Sequence, residues 1–129
     1  IFQKKPTLRI HLPERISVGG YHRDSDYGHP KKNINCWLPF NDAFKTATLW
    51  LEREPYKQNF KPVNVKYGQI LIFDSRLKHG VEVNKENYTR YSMDFRIQKK
   101  KEYKPSNKTS PKNKIKFSLG SYFSEIKNL

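Results

Sequence analysis

The feature that most constrains this sequence is a series of short apolar segments, separated by turn residues and without helical periodicity. Residues 7–12 alternate apolar and polar side chains before Pro13, and residues 46–52 are rich in β-branched and aromatic side chains, so both predict strands. Six further segments predict strands in the same way: 16–24 with a bulge at Gly19 and Gly20, 33–38, 63–66, 69–74, 80–83 and 88–97. Eight short strands predict an all-β domain, and the double-sheet jelly roll fits their number.

One of these segments differs from the others in being apolar almost throughout. Residues 69–74 read Gln-Ile-Leu-Ile-Phe-Asp, which predicts a strand that is covered on both faces. A strand with one solvated face would alternate apolar and polar residues instead.

The chain divides by composition at about residue 97. Residues 1–97 hold all eight predicted strands and form the expected domain, whereas residues 98–129 form a short basic tail. Pro105 and Pro111 exclude a long helix in the tail. An apolar cluster near its end predicts a short helix that docks on the domain; its members are Phe117, Leu119, Tyr122, Phe123 and Ile126.

The formal net charge of +14 is the strongest compositional signal for a partner. Nine lysines in residues 98–129 face only Glu102 and Glu125. Basicity of this size would suit nucleic acid, but most of the cations are lysines without interleaved aromatic residues or a nucleic-acid motif. The preferred interpretation is a solvated basic tail, with nucleic acid kept as an alternative partner.

Three further features bear on location. Cys36 is the single cysteine and cannot form an internal disulfide, which is typical of a reducing compartment. No apolar run reaches membrane-spanning length, and no secretion signal is visible at the start. We therefore expect a cytoplasmic protein without a membrane partner. The sequence begins at Ile1 and not at Met, so we also expect that an N-terminal part is absent.

The residues that carry chemistry start at His22-Arg23-Asp24, at the end of a predicted strand. Side chains two apart in a strand share a face, so we expect His22 and Asp24 to lie side by side. An imidazole and a carboxylate supply two of the three ligands of a facial metal site, and a second histidine from elsewhere completes it. His79, after the 69–74 strand, is the candidate; His11 and His29 are not assigned to the metal.

Taken together, His22-x-Asp24, Gly68-Gln-Ile-Leu-Ile-Phe-Asp, His79-Gly80 and Arg90-x-Ser92 resemble the Fe(II)/2-oxoglutarate-dependent oxygenases. Within them the chain most resembles the phytanoyl-CoA-hydroxylase-like branch, in particular the StrG-type oxygenases of carbohydrate biosynthesis clusters. The resemblance spans roughly residues 7–97. It implies a double-stranded β-helix, the cupin-like jelly roll, with iron at one mouth. The helical elements that usually precede this β-helix are not in the sequence.

The resemblance also implies roles for individual residues. His22, Asp24 and His79 would bind Fe(II), leaving the opposite octahedral face for 2-oxoglutarate and O₂. Arg90 and Ser92 would hold the far carboxylate of 2-oxoglutarate, since a guanidinium binds a carboxylate through two hydrogen bonds. Because side chains alternate along a strand, Arg90, Ser92, Asp94 and Arg96 are expected to share one face. Arg96 is the alternative clamp, unless Asp94 holds it in a structural ion pair. Thr48 and Asn35 are further candidates near the cosubstrate.

The predicted function is therefore an oxygenase that couples oxidative decarboxylation of 2-oxoglutarate to oxidation of a small, sugar-derived metabolite. One alternative is an AlkB-type nucleic-acid dealkylase, suggested by the spacing of Arg90 and Arg96 and by the basic charge. Another is a cupin-like binding or isomerase module that uses the same fold without redox chemistry. The substrate and the oligomeric state are not predicted.

Overall fold

The computed structural model describes residues 1–17 and 20–126, and within them the protein is an all-β sandwich. The described residues form no α-helix; three 3-10 helices cover Asp24–Tyr27, Lys45–Ala47 and Lys100–Glu102. Nine strands lie in the same part of the chain: β1 (Phe2–Gln3), β2 (Thr7–His11), β3 (Ile34–Pro39), β4 (Leu49–Glu52), β5 (Phe60–Val63), β6 (Leu71–Asp74), β7 (His79–Gly80), β8 (Arg90–Ile97) and β9 (Phe123–Ser124).

The strands form two antiparallel sheets, as expected for the jelly-roll class. The larger sheet has the order β6-β3-β8-β1-β9, and β2 pairs with β8 alongside β1. The smaller sheet has the order β5-β4-β7. Strand β8 is the centre of the larger sheet because it pairs with β3 over its length and with β2 and β1 on its other edge. The predicted all-β, cupin-like fold class is confirmed.

Because side chains alternate along β8, its polar residues lie on one face of the larger sheet and its apolar residues lie on the other. Trp37 faces Asp94 across the β3–β8 pair and packs in the core with Leu51 of β4, so this face points to the smaller sheet. The same face carries the polar residues of β8, which are Arg90, Ser92, Asp94 and Arg96. The predicted shared face of these four residues is confirmed, and the space between the sheets is therefore partly polar.

The hydrophobic core occupies the remainder of the space between the sheets. Seven buried residues form it: Trp37, Ala43, Leu49, Leu51, Val65, Phe73 and Val81. Burial of these side chains joins the larger sheet, through Trp37 and Phe73, to the smaller one, through Leu49 and Leu51. Phe73 of this core also lies against the ring of His79, with 5.0 Å between the ring centroids.

The second predicted strand is wrong at its functional end. Asp24 begins a 3-10 helix, and His22 forms only an isolated β-bridge. The helix ends at Gly28, whose φ of 85° lies in the left-handed region that glycine adopts without strain. Residues 18 and 19, which include the first glycine of the predicted bulge, lie outside the described residues.

Several other predicted boundaries shift. Strand β4 begins at Leu49, after the 3-10 helix Lys45–Ala47, and β5 covers Phe60–Val63 instead of 63–66. Strand β7 is reduced to His79–Gly80. The prediction that residues 69–74 are covered on both faces is wrong in this chain, because β6 is an edge strand and Ile72 is 57% exposed.

The tail is part of the sandwich. Strand β9 pairs with β1 and so joins the larger sheet. Phe117, Tyr122 and Phe123 are buried against one another, and Ile1 packs against them. The predicted docking helix is not present over residues 117–126. Ile126 is 81% exposed and takes no part in the cluster. Within the described residues, no helix has the length and apolar character needed to cross a membrane.

Candidate metal centre

A β-bridge between two distant segments brings the candidate histidine ligands together. The backbone N–H of His22 donates to the carbonyl of His79, and the N–H of His79 donates to the carbonyl of His22, both at 2.9 Å. The imidazole centroids lie 4.6 Å apart. Gly80 permits this close approach, because a Cβ there would lie 2.9 Å from Cγ of Tyr21 and 3.0 Å from its Cα.

The turn of the 3-10 helix places the third candidate ligand. Asp24 is the first residue of that helix and is 2% exposed. Its Oδ1 lies 3.5 Å from Nε2 of His22 and 3.8 Å from Nε2 of His79. One ligand atom from each residue falls within 4.8 Å of the other two, so the group could hold a metal ion. Within the described part of the chain, this is the one cluster of three or more such residues.

Backbone carbonyls fix the tautomer of both imidazoles. Nδ1 of His22 lies 2.7 Å from the carbonyl oxygen of Gly20, and Nδ1 of His79 lies 3.1 Å from that of Leu77. A carbonyl oxygen only accepts, so each Nδ1 carries the proton and donates. In its neutral form each imidazole then keeps a lone pair on Nε2, which faces Asp24, and this is the arrangement that metal-binding histidines adopt.

Electrostatics keep the donor groups in forms that suit a cation. Burial alone would raise the pKa of the Asp24 carboxyl, but the hydrogen bond from His22 and the charge of Arg96 hold it well below its usual range. Burial lowers the pKa of His79 and favours its neutral form. Burial would also lower the pKa of His22, but its hydrogen bond with Asp24 raises it. A metal ion would displace that shared proton.

Arg96 forms ion pairs with both Asp24 and Asp94. Its Nε donates to Oδ2 of Asp24 at 2.9 Å, and one terminal nitrogen donates to Oδ2 of Asp94 at 2.8 Å and to Gln3 at 3.3 Å. Asp94 is also held by Arg9 at 2.8 Å. Oδ2 of Asp24 is thus occupied while Oδ1 faces the histidines. The geometry favours the structural ion pair over a cosubstrate clamp for Arg96.

Arg90 has a different environment, although it lies on the same face of the same strand. It is 1% exposed, and no carboxylate of the described residues lies within ion-pair distance of its guanidinium. Its Nε donates to the carbonyl of Ala47 at 3.1 Å, and a terminal nitrogen donates to Oγ of Ser92. Burial lowers the pKa of Arg90 to about 10. The result is a buried cation without a counter-charge.

Sequence reasoning missed the partner that orients Arg90. His11, fully buried on β2, lies opposite Arg90 in the sheet, with its Nδ1 3.3 Å from a terminal nitrogen of Arg90. Its Nε2 donates to the carbonyl of Arg15 at 2.9 Å, which leaves Nδ1 to accept. The pairing of β2 with β8 sets this contact. The alternation of residues 7–12 pointed the other way, because it predicts that the apolar side chains are buried, whereas Ile10 and Leu12 are exposed and His11 is buried.

A cavity of about 1000 Å³ contains both the ligand triad and Arg90. Asn35 and Arg96 also line it. Asn35 is 3% exposed, and neither its amide oxygen nor its amide nitrogen has a hydrogen-bond partner. Thr48 and Ser92 are not among the lining residues.

The hydroxyls of Thr48 and Ser92 are both engaged within the protein. Oγ1 of Thr48 donates to the carbonyl of Val63 at 2.5 Å, which turns it towards the smaller sheet. Ser92 accepts from Arg90 instead of facing the cavity. A direct contact of Thr48 with a cosubstrate stays a prediction that the structure does not favour.

His29 and the tail complete the cavity wall. The His29 ring lies 4.3 Å from the Phe117 ring and 5.6 Å from the Tyr122 ring, measured between centroids. Both His29 and Tyr122 line the cavity. His29 is thus part of the wall near Asp24, whose carbonyl accepts its backbone N–H at 3.2 Å. Part of the tail therefore lines the cavity, although its described lysines are exposed.

Comparison with known proteins agrees with the fold. Two solved structures resemble this one with a TM-score of 0.59 and cover 74% of the chain: EvdMO1, at 20% identity and over 27% of its length, and AviO1 from Streptomyces viridochromogenes Tue57, at 23% identity and over 51% of its length. At these identities the likeness concerns the fold alone.

The sequence comparison goes further. The chain is 36% identical over 125 residues, 96% of its length, to the streptomycin biosynthesis protein StrG of Streptomyces griseus. It spans 59% of the length of that relative. No family model matches the chain.

Proposed function

We propose that the chain forms the core of a non-haem Fe(II)- and 2-oxoglutarate-dependent oxygenase of the StrG type. One observation carries the proposal: a two-histidine, one-carboxylate cluster and a buried, uncompensated arginine line the same cavity. The first is the ligand set of non-haem iron oxygenases, and the second suits a cosubstrate with a distant carboxylate. The two features together define the proposed site.

The residues present fit an Fe(II) ion. His22 and His79 would each bind it through Nε2, and Asp24 would bind it through Oδ1. Three protein ligands from one side leave positions open for other ligands, as the proposed reaction requires. Arg96 would hold the second oxygen of Asp24 and so keep that carboxylate in one orientation.

The residues present also fit 2-oxoglutarate. A buried guanidinium without a carboxylate is costly, and a bound carboxylate would compensate it. Arg90 would bind the carboxylate far from the metal, and His11 and Ser92 would hold the guanidinium in place. The unpartnered amide of Asn35 would complete its hydrogen bonds with a cosubstrate or substrate.

In the proposed mechanism the protein binds and orients its ligands. Bound Fe(II), with 2-oxoglutarate and O₂, would supply oxidative decarboxylation coupled to oxidation of an organic substrate. Arg90 anchors the cosubstrate at one end of the cavity, and the neutral His79 and ionised Asp24 provide lone pairs at the other. Tyr122, which lines the cavity and packs against Phe117, would limit the access of water.

The substrate class rests on the relative. StrG is named for streptomycin biosynthesis, so we propose a small, sugar-derived metabolite as the substrate. A cavity of about 1000 Å³ has the size of a small-molecule site. Residues 1–97 would form the oxygenase core, and residues 98–129 would contribute one wall of its cavity.

An anaerobic titration tests the proposal. Fe(II) and then 2-oxoglutarate are added to the protein, and the weak visible charge-transfer band of the chelate is recorded. We expect a band in the wild type, none in Asp24→Ala, and none in Arg90→Gln at cosubstrate concentrations that saturate the wild type. Arg76→Gln is the matched control, because Arg76 is an exposed arginine paired only with Asp74.

The outcomes separate the alternatives. Metal binding without 2-oxoglutarate binding would support the non-redox cupin-like module. A band that persists in Asp24→Ala would overturn the assignment of the ligands. A folded wild type that binds neither component would overturn the proposed function for this chain.

A further inference from the structure

A buried ion pair outside the cavity connects the two segments that carry the candidate ligands. Glu52, the last residue of β4, is 0% exposed. A terminal nitrogen of Arg23 donates to both of its carboxylate oxygens, at 3.0 and 2.9 Å. Arg23 lies between His22 and Asp24 in the chain, so this contact anchors the first ligand segment.

The same carboxylate also anchors the second ligand segment. The backbone N–H of Lys78, the residue before His79, donates to Oε2 of Glu52 at 3.0 Å. The backbone N–H of Glu52 in turn donates to the carbonyl of Lys78 at 2.8 Å. The peptide groups on either side of Lys78 are therefore fixed against the end of β4.

The histidine bridge alone does not fix Asp24. It joins the backbones of His22 and His79, whereas Asp24 follows two residues later, at the start of a 3-10 helix. That helix has no side-chain hydrogen bond at its N-terminal cap, Arg23. Arg96 holds the carboxylate of Asp24, and the Arg23 side chain holds the backbone between His22 and Asp24.

Glu52 is well suited to this task. Burial would raise the pKa of its carboxyl, but backbone hydrogen bonds, including those from Gln58 at 2.8 Å and Lys78, together with Arg23 lower it. It therefore stays charged inside the protein. The Arg23 guanidinium also lies over the Tyr56 ring at 4.4 Å, which restricts it from the other side.

From these contacts we infer that the Arg23–Glu52 ion pair sets the spacing of the three metal ligands without touching the metal. Glu52 and Arg23 are positioning residues of the candidate metal centre, and the inference rests on the proposed function. Partners of this kind, one step removed from the metal, typically change metal affinity by about 10- to 100-fold when they are lost.

The test measures Co(II) binding by the full chain through visible absorption, which reports both affinity and coordination geometry. We expect Glu52→Gln to weaken Co(II) binding by about 10- to 100-fold and to change the spectrum. Arg23→Lys keeps the charge but removes the planar guanidinium that lies over Tyr56, and we expect a loss near the lower end of that range. Asp74→Asn, which breaks the exposed bidentate pair with Arg76, is the control and should leave both readouts unchanged.

Thermal unfolding of each variant separates positioning from folding. If Glu52→Gln does not fold, Arg23→Lys decides the question. Folded variants that bind Co(II) with wild-type affinity and spectrum would overturn the inference and leave the metal centre standing. Absence of Co(II) binding in the folded wild type would overturn the metal centre itself, and the inference with it.

Discussion

Arg90 and Arg96 occupy the two ends of one face of β8, yet their surroundings differ. Arg96 donates to Asp24 and Asp94, whereas Arg90 has only neutral partners, namely Ala47, Ser92 and His11. Both guanidinium groups are buried. Two arginines on the same face of the same strand can therefore have different roles. What distinguishes them is whether a carboxylate of the protein lies beside the guanidinium. Arg96 is satisfied by the protein, whereas Arg90 has no carboxylate partner among the described residues, and this is the basis of its proposed role.

The largest expected effect is on stability at the Arg96 end. Arg96→Gln leaves Asp24 buried without its cation, whereas Asp94 keeps its ion pair with Arg9, and breaking a buried pair costs about 3–5 kcal/mol. Urea unfolding at pH 7 measures the free energy of unfolding. Arg90→Gln is the matched control, for which we expect a change of only about 1 kcal/mol, because hydrogen bonds to uncharged partners are lost while the cost of burying the cation is removed. Equal losses in the two variants would contradict the comparison.

The sequence predicted which side chains of β8 share a face, but it did not predict which residues those side chains contact. Alternation alone placed Arg90, Ser92, Asp94 and Arg96 on one face, and the structure confirms it. Alternation could not show that the Arg96 end meets Asp24, since that contact spans 72 residues and depends on a turn. Nor could it show His11 against Arg90, because the register of β2 on β8 is a tertiary feature.

The structure brings the three predicted ligand residues together, but through a local geometry that differs from the predicted one. His22 and Asp24 were expected to share a strand face, but a 3-10 helix places Asp24, and a backbone bridge places the histidines. The glycine at position 28 was the sign of that turn in the sequence. In the structure, Gly28 lies in the left-handed region. The tail was predicted to dock as a helix; β9 pairing and the aromatic cluster hold it instead.

The second-largest expected effect is a loss of stability at low pH. Its source is His29, which lies near Asp24 at the Arg96 end of the strand. Burial lowers the pKa of His29 to about 4, from about 6.5 in the unfolded chain. The neutral ring therefore contributes stability above pH 6.5 that is lost as the pH falls towards 4, because the unfolded chain binds the proton first. Between pH 7 and pH 5 we expect a loss of about 2 kcal/mol from this group.

The variant His29→Phe isolates that contribution, since phenylalanine can stack on Phe117 but cannot titrate. The free energy of unfolding of wild type and variant is compared at pH 7 and pH 5 by urea titration. The wild type should lose about 2 kcal/mol more than the variant over this interval. Parallel pH dependence of the two proteins would show that His29 is not held neutral.

The smallest expected effect is at the Arg90 end. Ser92→Ala removes the hydroxyl that accepts from the guanidinium, so Arg90 is less firmly oriented. We expect 2-oxoglutarate to bind about tenfold more weakly, with metal affinity unchanged, as measured by calorimetric titration of the metal-loaded protein. Ser75→Ala, also a buried serine, is the control. An equal loss of metal affinity in Ser92→Ala would mean that the two ends of β8 do not act separately.

The central claim is that one cavity binds a metal at the His22, Asp24 and His79 end and a carboxylate at Arg90. A crystal structure of the protein with Mn(II) and 2-oxoglutarate, recorded with anomalous scattering, tests it most directly. We expect an anomalous peak within bonding distance of Nε2 of both histidines and Oδ1 of Asp24, and a 2-oxoglutarate carboxylate on Arg90. A peak elsewhere, or a 2-oxoglutarate carboxylate paired with another cation while Arg90 stays unpaired, would contradict the account.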